Sequence, residues 1–161
     1  MALKYPYREV VSFAGVKLDT ATLRAATVTL TNAQIKALNA TPITVVAAQG
    51  ANTLIEVEKV VVKLNAGSEA LTEPNSDENI QFLYGAGGVA ATAAIDFTNF
   101  LDQTADETQI ELGAQVAGQV STGVENTAIV VENVGTGEIA GNASNDATVT
   151  IKVMYRVHDF S

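Results

Sequence analysis

The sequence predicts an all-β protein, an antiparallel sandwich or jelly roll with one short helix and an extended N-terminal arm. Three observations carry this. Ala, Val and Thr supply 63 of the 161 residues, a composition of small and β-branched side chains that suits close-packed strands. Apolar or alternating segments recur about eight times, at spacings of roughly 8–20 residues and separated by turn residues. Helix signals occur once, and no repeat of about 20–50 residues is visible that would indicate a solenoid or propeller. A chain of this length supports one core, or one core and an arm, rather than two domains. The expected division is an arm over residues 1–25 and a sandwich over 26–161.

The arm reading comes from Tyr5, Pro6, Tyr7, Val10, Val11 and Phe13, which are too apolar for a solvated tail, while Pro6, Gly15 and interleaved charges break any regular pattern. Such a segment needs a surface, its own body or a neighbour, and an extended strand can add to a sheet edge through its main chain. Next, Ala26 to Leu30 alternates at period two, as a strand does. Thr31-Asn32-Ala33-Gln34 has the form of a capping box, and Leu30 and Ile35 stand where a hydrophobic staple would. A helix is expected from about Asn32 to Leu38, with Asn39 closing it in the left-handed conformation and Pro42 preventing continuation.

Beyond Pro42 the elements are strands. Ile43 to Ala48 is one, Gln49 to Asn52 a turn, and Thr53 to Leu64 a long strand. Its apolar residues change face near Lys59, which predicts a bulge or a passage between two sheets. Asn65 to Glu78, with Gly67, Pro74 and its acids, reads as a surface loop. Asn79 to Tyr84 and Val89 to Asp96 flank a glycine turn. Asp96 to Leu101 reads as a turn with Phe97 and Phe100 inward. Gln109 to Leu112 and Ala128 to Val134 are short strands. In the closing strand, Ala147 to His158, the residues Ala147, Val149, Ile151, Val153, Tyr155 and Val157 share one face.

Composition excludes much chemistry. There is no Cys, so there are no disulfides, thiol nucleophiles or Cys-based zinc sites, and the single His158 offers no His pair for a metal or a relay. The net charge is −9, and from Leu64 to Ile151 there is no Lys or Arg but thirteen acids. Phosphate binding needs clustered cations, so nucleic acid is not an expected partner, and the acids read as a solvated surface. Residues 1–20 hold no apolar run long enough for a signal peptide or a membrane span; the expectation is folding in a cytoplasm with no membrane partner.

The site-like motifs are weak. Gly85-Ala86-Gly87-Gly88-Val89-Ala90 fits a dinucleotide-loop form in name, but no helix follows to meet a pyrophosphate. Asn75 to Asn79 opens like a calcium loop, yet Ile80 and Ala86 stand where that loop needs Gly and Glu. Asp102, Asp106, Glu107 and Glu111 have no spacing that specifies a cation. No serine lies in a nucleophile elbow, and His158 has no evident catalytic partner. The expectation is therefore no enzyme, no catalytic residue, no cofactor and no metal.

Leu30 to Leu38, Thr41 to Ala48, and the ending Gly137 to Thr148 with Tyr155-Arg156-Val157 resemble a group of small structural proteins of tailed bacteriophages and prophages. The likeness covers roughly residues 27–158. It is similar to the jelly-roll capsid cement, or decoration, proteins, which implies a trimer on the outer surface of the virion head, with the major capsid protein as partner, reinforcing contacts between capsomers. Within that expectation the arm residues Tyr5, Tyr7, Arg8, Val10 and Phe13 make the capsid or inter-subunit contact. The alternative is a phage tail or fibre component with a host-surface binding module built on the same sandwich.

Overall fold

The computed structural model describes residues 22–114 and 123–161. Among the described residues ten strands and one helix follow in the order β1 (Arg24–Leu30), α1 (Asn32–Lys36), β2 (Ile43–Val46), β3 (Thr53–Asn65), β4 (Leu71–Thr72), β5 (Ile80–Tyr84), β6 (Val89–Ala90), β7 (Glu107–Leu112), β8 (Ile129–Asn133), β9 (Ala140–Gly141) and β10 (Thr148–Asp159). The pairing is nested. The hairpin-like pairs β1/β10 and β3/β7 lie in one sheet, ordered β1-β10-β3-β7, and the pairs β2/β8 and β5/β6 lie in the other, ordered β2-β8-β5-β6. A long antiparallel ribbon rolled so that successive pairs fall in alternate sheets is a jelly roll. The fold expected from the sequence is thus observed, and β4 and β9 add a two-stranded ribbon at one end.

Burial follows the pleat. Val149, Ile151 and Val153 of β10, Val60, Val62 and Leu64 of β3, and Ile129, Val131 and Phe82 of the facing sheet form the interior. Because successive side chains alternate, one face of each long strand supplies this core. The face change in β3 is a bulge. Lys59 pairs with Met154 and Val57 with Tyr155, leaving Glu58 as the extra residue. Ile55 and Val57 on one side of it, and Val60, Val62 and Leu64 on the other, therefore all point inward.

Local chemistry explains the start of α1. The Thr31 side chain accepts from the Gln34 amide while the Gln34 side chain accepts from the Thr31 amide, and Leu30 and Ile35 are both buried. The helix end differs from expectation. It closes at Ala37 with φ −107°, and Asn39 is not left-handed. The Asn39 amide group instead donates to the carbonyls of Asn133 and Gly135, at 3.2 and 2.7 Å, a tertiary use that outcompetes a local cap.

Other boundaries move as well. β1 takes Arg24 and Ala25 from the expected arm. The strand expected over Val89 to Asp96 is two residues long, followed by single bridges at Thr92 and Ile95. The stretch Asn65 to Glu78 is not wholly a surface loop. Leu71 and Glu78 are buried, and Leu71-Thr72 pairs with β9. Phe97 and Phe100 are buried as expected, in a turn closed by the Leu101 amide on the Phe97 carbonyl at 2.9 Å.

The acids do more than solvate the surface. Ten of the sixteen carboxylates in the described residues accept a backbone N–H, most of them in loops: Glu138 from Asn39 and Ala40, Asp106 from Ala66, Asp146 from Ser68, Glu69 from Ala143, Glu132 from Gly87, and likewise Asp77, Glu78, Asp96, Asp102 and Asp159. Loops cannot satisfy their own amides through a ladder, and an ionised acceptor makes the stronger bond. Much of the negative charge is therefore spent holding the connections in place.

Candidate interaction surface

The outer face of the β1-β10-β3-β7 sheet carries three rows that cross all four strands, and past the β3 bulge it continues on β10 and β3 alone with Arg156 opposite Glu56 and His158 opposite Leu54. The register aligns Thr29, Thr150, Lys63 and Thr108 in the first row, Thr27, Lys152, Val61 and Ile110 in the second, and Ala25, Met154, Lys59 and Leu112 in the third. These twelve positions contain three lysines and no acid. Lys63 pairs with Asp106 at 3.3 Å, while among the described residues Lys59 and Lys152 have no acidic partner.

Strand β7 is inverted relative to an ordinary edge strand. Glu107, Gln109 and Glu111 take the side of the core-facing Val60, Val62 and Leu64 and remain half-buried. Ile110 and Leu112 point to solvent, 59% and 71% exposed. The inversion has a geometric cause. Gly113 lies so close to β3 that its amide donates to Glu58 at 3.0 Å, and a Cβ there would lie 1.6 Å from the Val57 carbonyl oxygen. That contact sets the register against the bulge, and the register in turn places Ile110 beside Val61.

Next to this face, at the bulge, lies a groove of about 570 Å³ lined by Leu54, Glu56, Glu58, Tyr84, His158 and Phe160 among others. It gives His158 a partner that sequence reading did not supply. His158 Nε2 lies 2.7 Å from Glu56 Oε2, and Arg156 pairs with Glu58. The Tyr84 hydroxyl donates to the Ile55 carbonyl at 2.5 Å, and burial, then the nearby Glu56 charge, pushes its pKa up to about 12. The phenol therefore stays protonated at neutral pH and serves as a strut between the sheets.

The other motifs are dispersed by the fold. Gly85 to Gly88 is a tight turn between β5 and β6, closed by the Gly88 amide on the Gly85 carbonyl at 3.1 Å, and no helix follows it. Asp102 caps Asn99, Asp106 joins Ala66 and Lys63, and Glu111 accepts from Gln109. Among the described residues no group of three or more His, Asp or Glu side chains is placed to hold a metal ion. Glu78 turns inward, one oxygen accepting from the Asn75 amide at 3.2 Å and the other unpartnered. The arm residues Tyr5, Tyr7, Arg8, Val10 and Phe13 lie outside the described residues.

Ile110 and Leu112 are the surface residues that sequence reading missed. Their alternation with Glu111 shows that they share a face, but only the pairing with β3 shows which face. Comparison with known proteins adds no identity: no protein-family model, curated protein or solved structure matches the chain.

Proposed function

We propose that the chain is a non-enzymatic structural protein of a bacteriophage virion, a capsid cement or decoration protein. In this reading it binds the major capsid protein on the outside of the head as a trimer and stabilises contacts between capsomers. The observation that supports it best is the sheet face that the described residues leave uncovered, with Ile110 and Leu112 at its edge. Large apolar side chains grouped on a flat exposed sheet are a feature of surfaces that meet another protein. The sequence resemblance supports the phage setting.

The size of the face fits binding by several copies. With about 4.8 Å between strands and about 6.8 Å between same-face residues, twelve positions cover roughly 400 Å². That is about half of one partner's share in a standard interface. One copy would bind weakly, and a trimer engaging several capsid subunits at once would gain affinity through effective concentration.

Antibody labelling of purified particles tests the reading. Signal over the whole head is the expected result. Signal confined to the tail would replace the reading with that of a tail or fibre component, and no signal on particles would overturn both.

A further inference from the structure

We propose that the outer face of the β1-β10-β3-β7 sheet is the docking face and that it takes an acidic, partly apolar surface of a different protein in the particle. The inference rests on the reading above only in taking the partner to be a protein of the virion. It is argued from charge asymmetry. The twelve positions of the four-strand rows hold Lys59, Lys63 and Lys152 and no carboxylate, and the two carboxylates at the bulge, Glu56 and Glu58, are paired with His158 and Arg156. The rest of the described chain holds two basic residues, Arg24 and Lys36, against fourteen acids. A chain this acidic that gathers half of its described cations in these rows, and leaves Lys59 and Lys152 without acidic partners among the described residues, presents there a surface that complements an external anion.

The apolar members decide the class of that anion. Val61, Ile110, Leu112 and Met154 interleave with the lysines, so the complementary surface carries carboxylates around an apolar centre. A polyanion such as DNA offers no apolar centre, and three cations would be set against the repulsion of the remaining acidic surface. Pairing two copies face to face would oppose the same lysines. A second copy presenting another surface is less suited, because most of this chain's carboxylates already hold its own backbone amides.

Lysine acylation of the full chain, free and on intact particles, followed by mass spectrometry, tests this. Lys59 and Lys152 should become roughly tenfold less reactive on the particle as water is excluded. Lys36, which is bonded to the Asn142 carbonyl and Asn145 on another part of the surface, should be unchanged. Zero-length carbodiimide cross-links from Lys59 or Lys152 should reach carboxylates of another virion protein. The K59E/K152E double variant should keep the free chain's thermal midpoint and bind depleted particles roughly thirtyfold more weakly at low salt, as two exposed pairs exchange attraction for repulsion. Unchanged acylation on the particle, undiminished binding of K59E/K152E, or cross-links leading only to a second copy would each overturn the proposal. Because the footprint reads the covered face wherever the chain sits, a tail location would sink the head assignment without touching this inference.

Discussion

Replacing Asn142 with Ala removes the densest polar junction among the described residues, and its cost can be worked from the geometry. Asn142 is buried, with φ +40°. Its Oδ1 accepts from the Asn32 side chain at 2.8 Å and from the amides of Asp146 and Ala147 at 3.0 and 3.3 Å. Its Nδ2 donates to the Glu69 carbonyl at 2.7 Å and to Asp146 at 2.9 Å. One side chain thus ties α1, the loop after β3 and the start of β10. Truncation leaves the buried Asn32 amide and the Glu69 carbonyl short of a partner, each costing about 1–3 kcal/mol. Holding Ala at positive φ costs about 1 kcal/mol more. The expected loss is about 3–7 kcal/mol, a large part of the roughly 5–15 kcal/mol that holds a domain together. Urea unfolding at neutral pH measures it. N142G, free of the backbone penalty, should recover about 1 kcal/mol of the loss. A loss below about 1 kcal/mol for N142A would refute the reasoning, because it would mean that water or neighbouring groups replace the junction at no cost.

Three further outcomes follow from the same structure. The carboxyls of Asp106 and Asp146 are held below the ordinary carboxylate value, Asp106 mainly by the Ala66 amide and then Lys63, Asp146 mainly by the Asn142 side chain and then the Ser68 amide. The unfolded chain therefore binds protons first, so the stability these groups contribute is complete above about pH 3.9 and is lost as pH falls through the lower folded values. Urea midpoints measured down to about pH 3 should show a shallower acid-side loss in D106N and D146N than in the parent chain, and identical slopes would contradict the assignment. In G113A the added Cβ meets the Val57 carbonyl, which is backbone and cannot swing aside, so a loss of about 2 kcal/mol is expected by thermal or urea unfolding. I110S/L112S should change stability by less than about 1 kcal/mol, since both side chains already face solvent, and a larger loss would mean that they are covered within the monomer.

What was legible in the sequence was what depends on near neighbours. The capping box of Thr31 and Gln34 spans four residues and forms as read. The bulge in β3 was visible as a change of parity between Val57 and Val60, because alternation leaves a trace wherever a residue is inserted. The long alternation of β10 placed its buried face correctly from Ala147 to Tyr155. Where partners are remote, the sequence was silent. The same alternation in β7 could not say that Ile110 and Leu112 face outward, because that depends on the approach of Gly113 to Val57. Asn39 looked like a local cap because its carbonyl partners at Asn133 and Gly135 lie about a hundred residues away.

The acidic composition shows the same limit. Charge counting anticipates a solvated surface but not that Glu138 would hold the end of the helical segment or that Asp146 would hold the loop at Ser68. Seen this way, the absence of Lys and Arg between Leu64 and Ile151 has a structural use. Basic side chains among the loops would compete with backbone amides for the same carboxylates. Four of the six cations among the described residues fall on β3 and β10, where the ladder already satisfies the backbone and their side chains are left for the surface.

An image reconstruction of the intact particle, at a resolution that separates the two sheets, tests the central claim most directly. The account predicts the jelly roll on the outside of the head with the β1-β10-β3-β7 sheet turned toward the shell, and Lys59, Lys152, Ile110 and Leu112 in contact with it. The same sandwich found on the head with that sheet facing bulk solvent would contradict it.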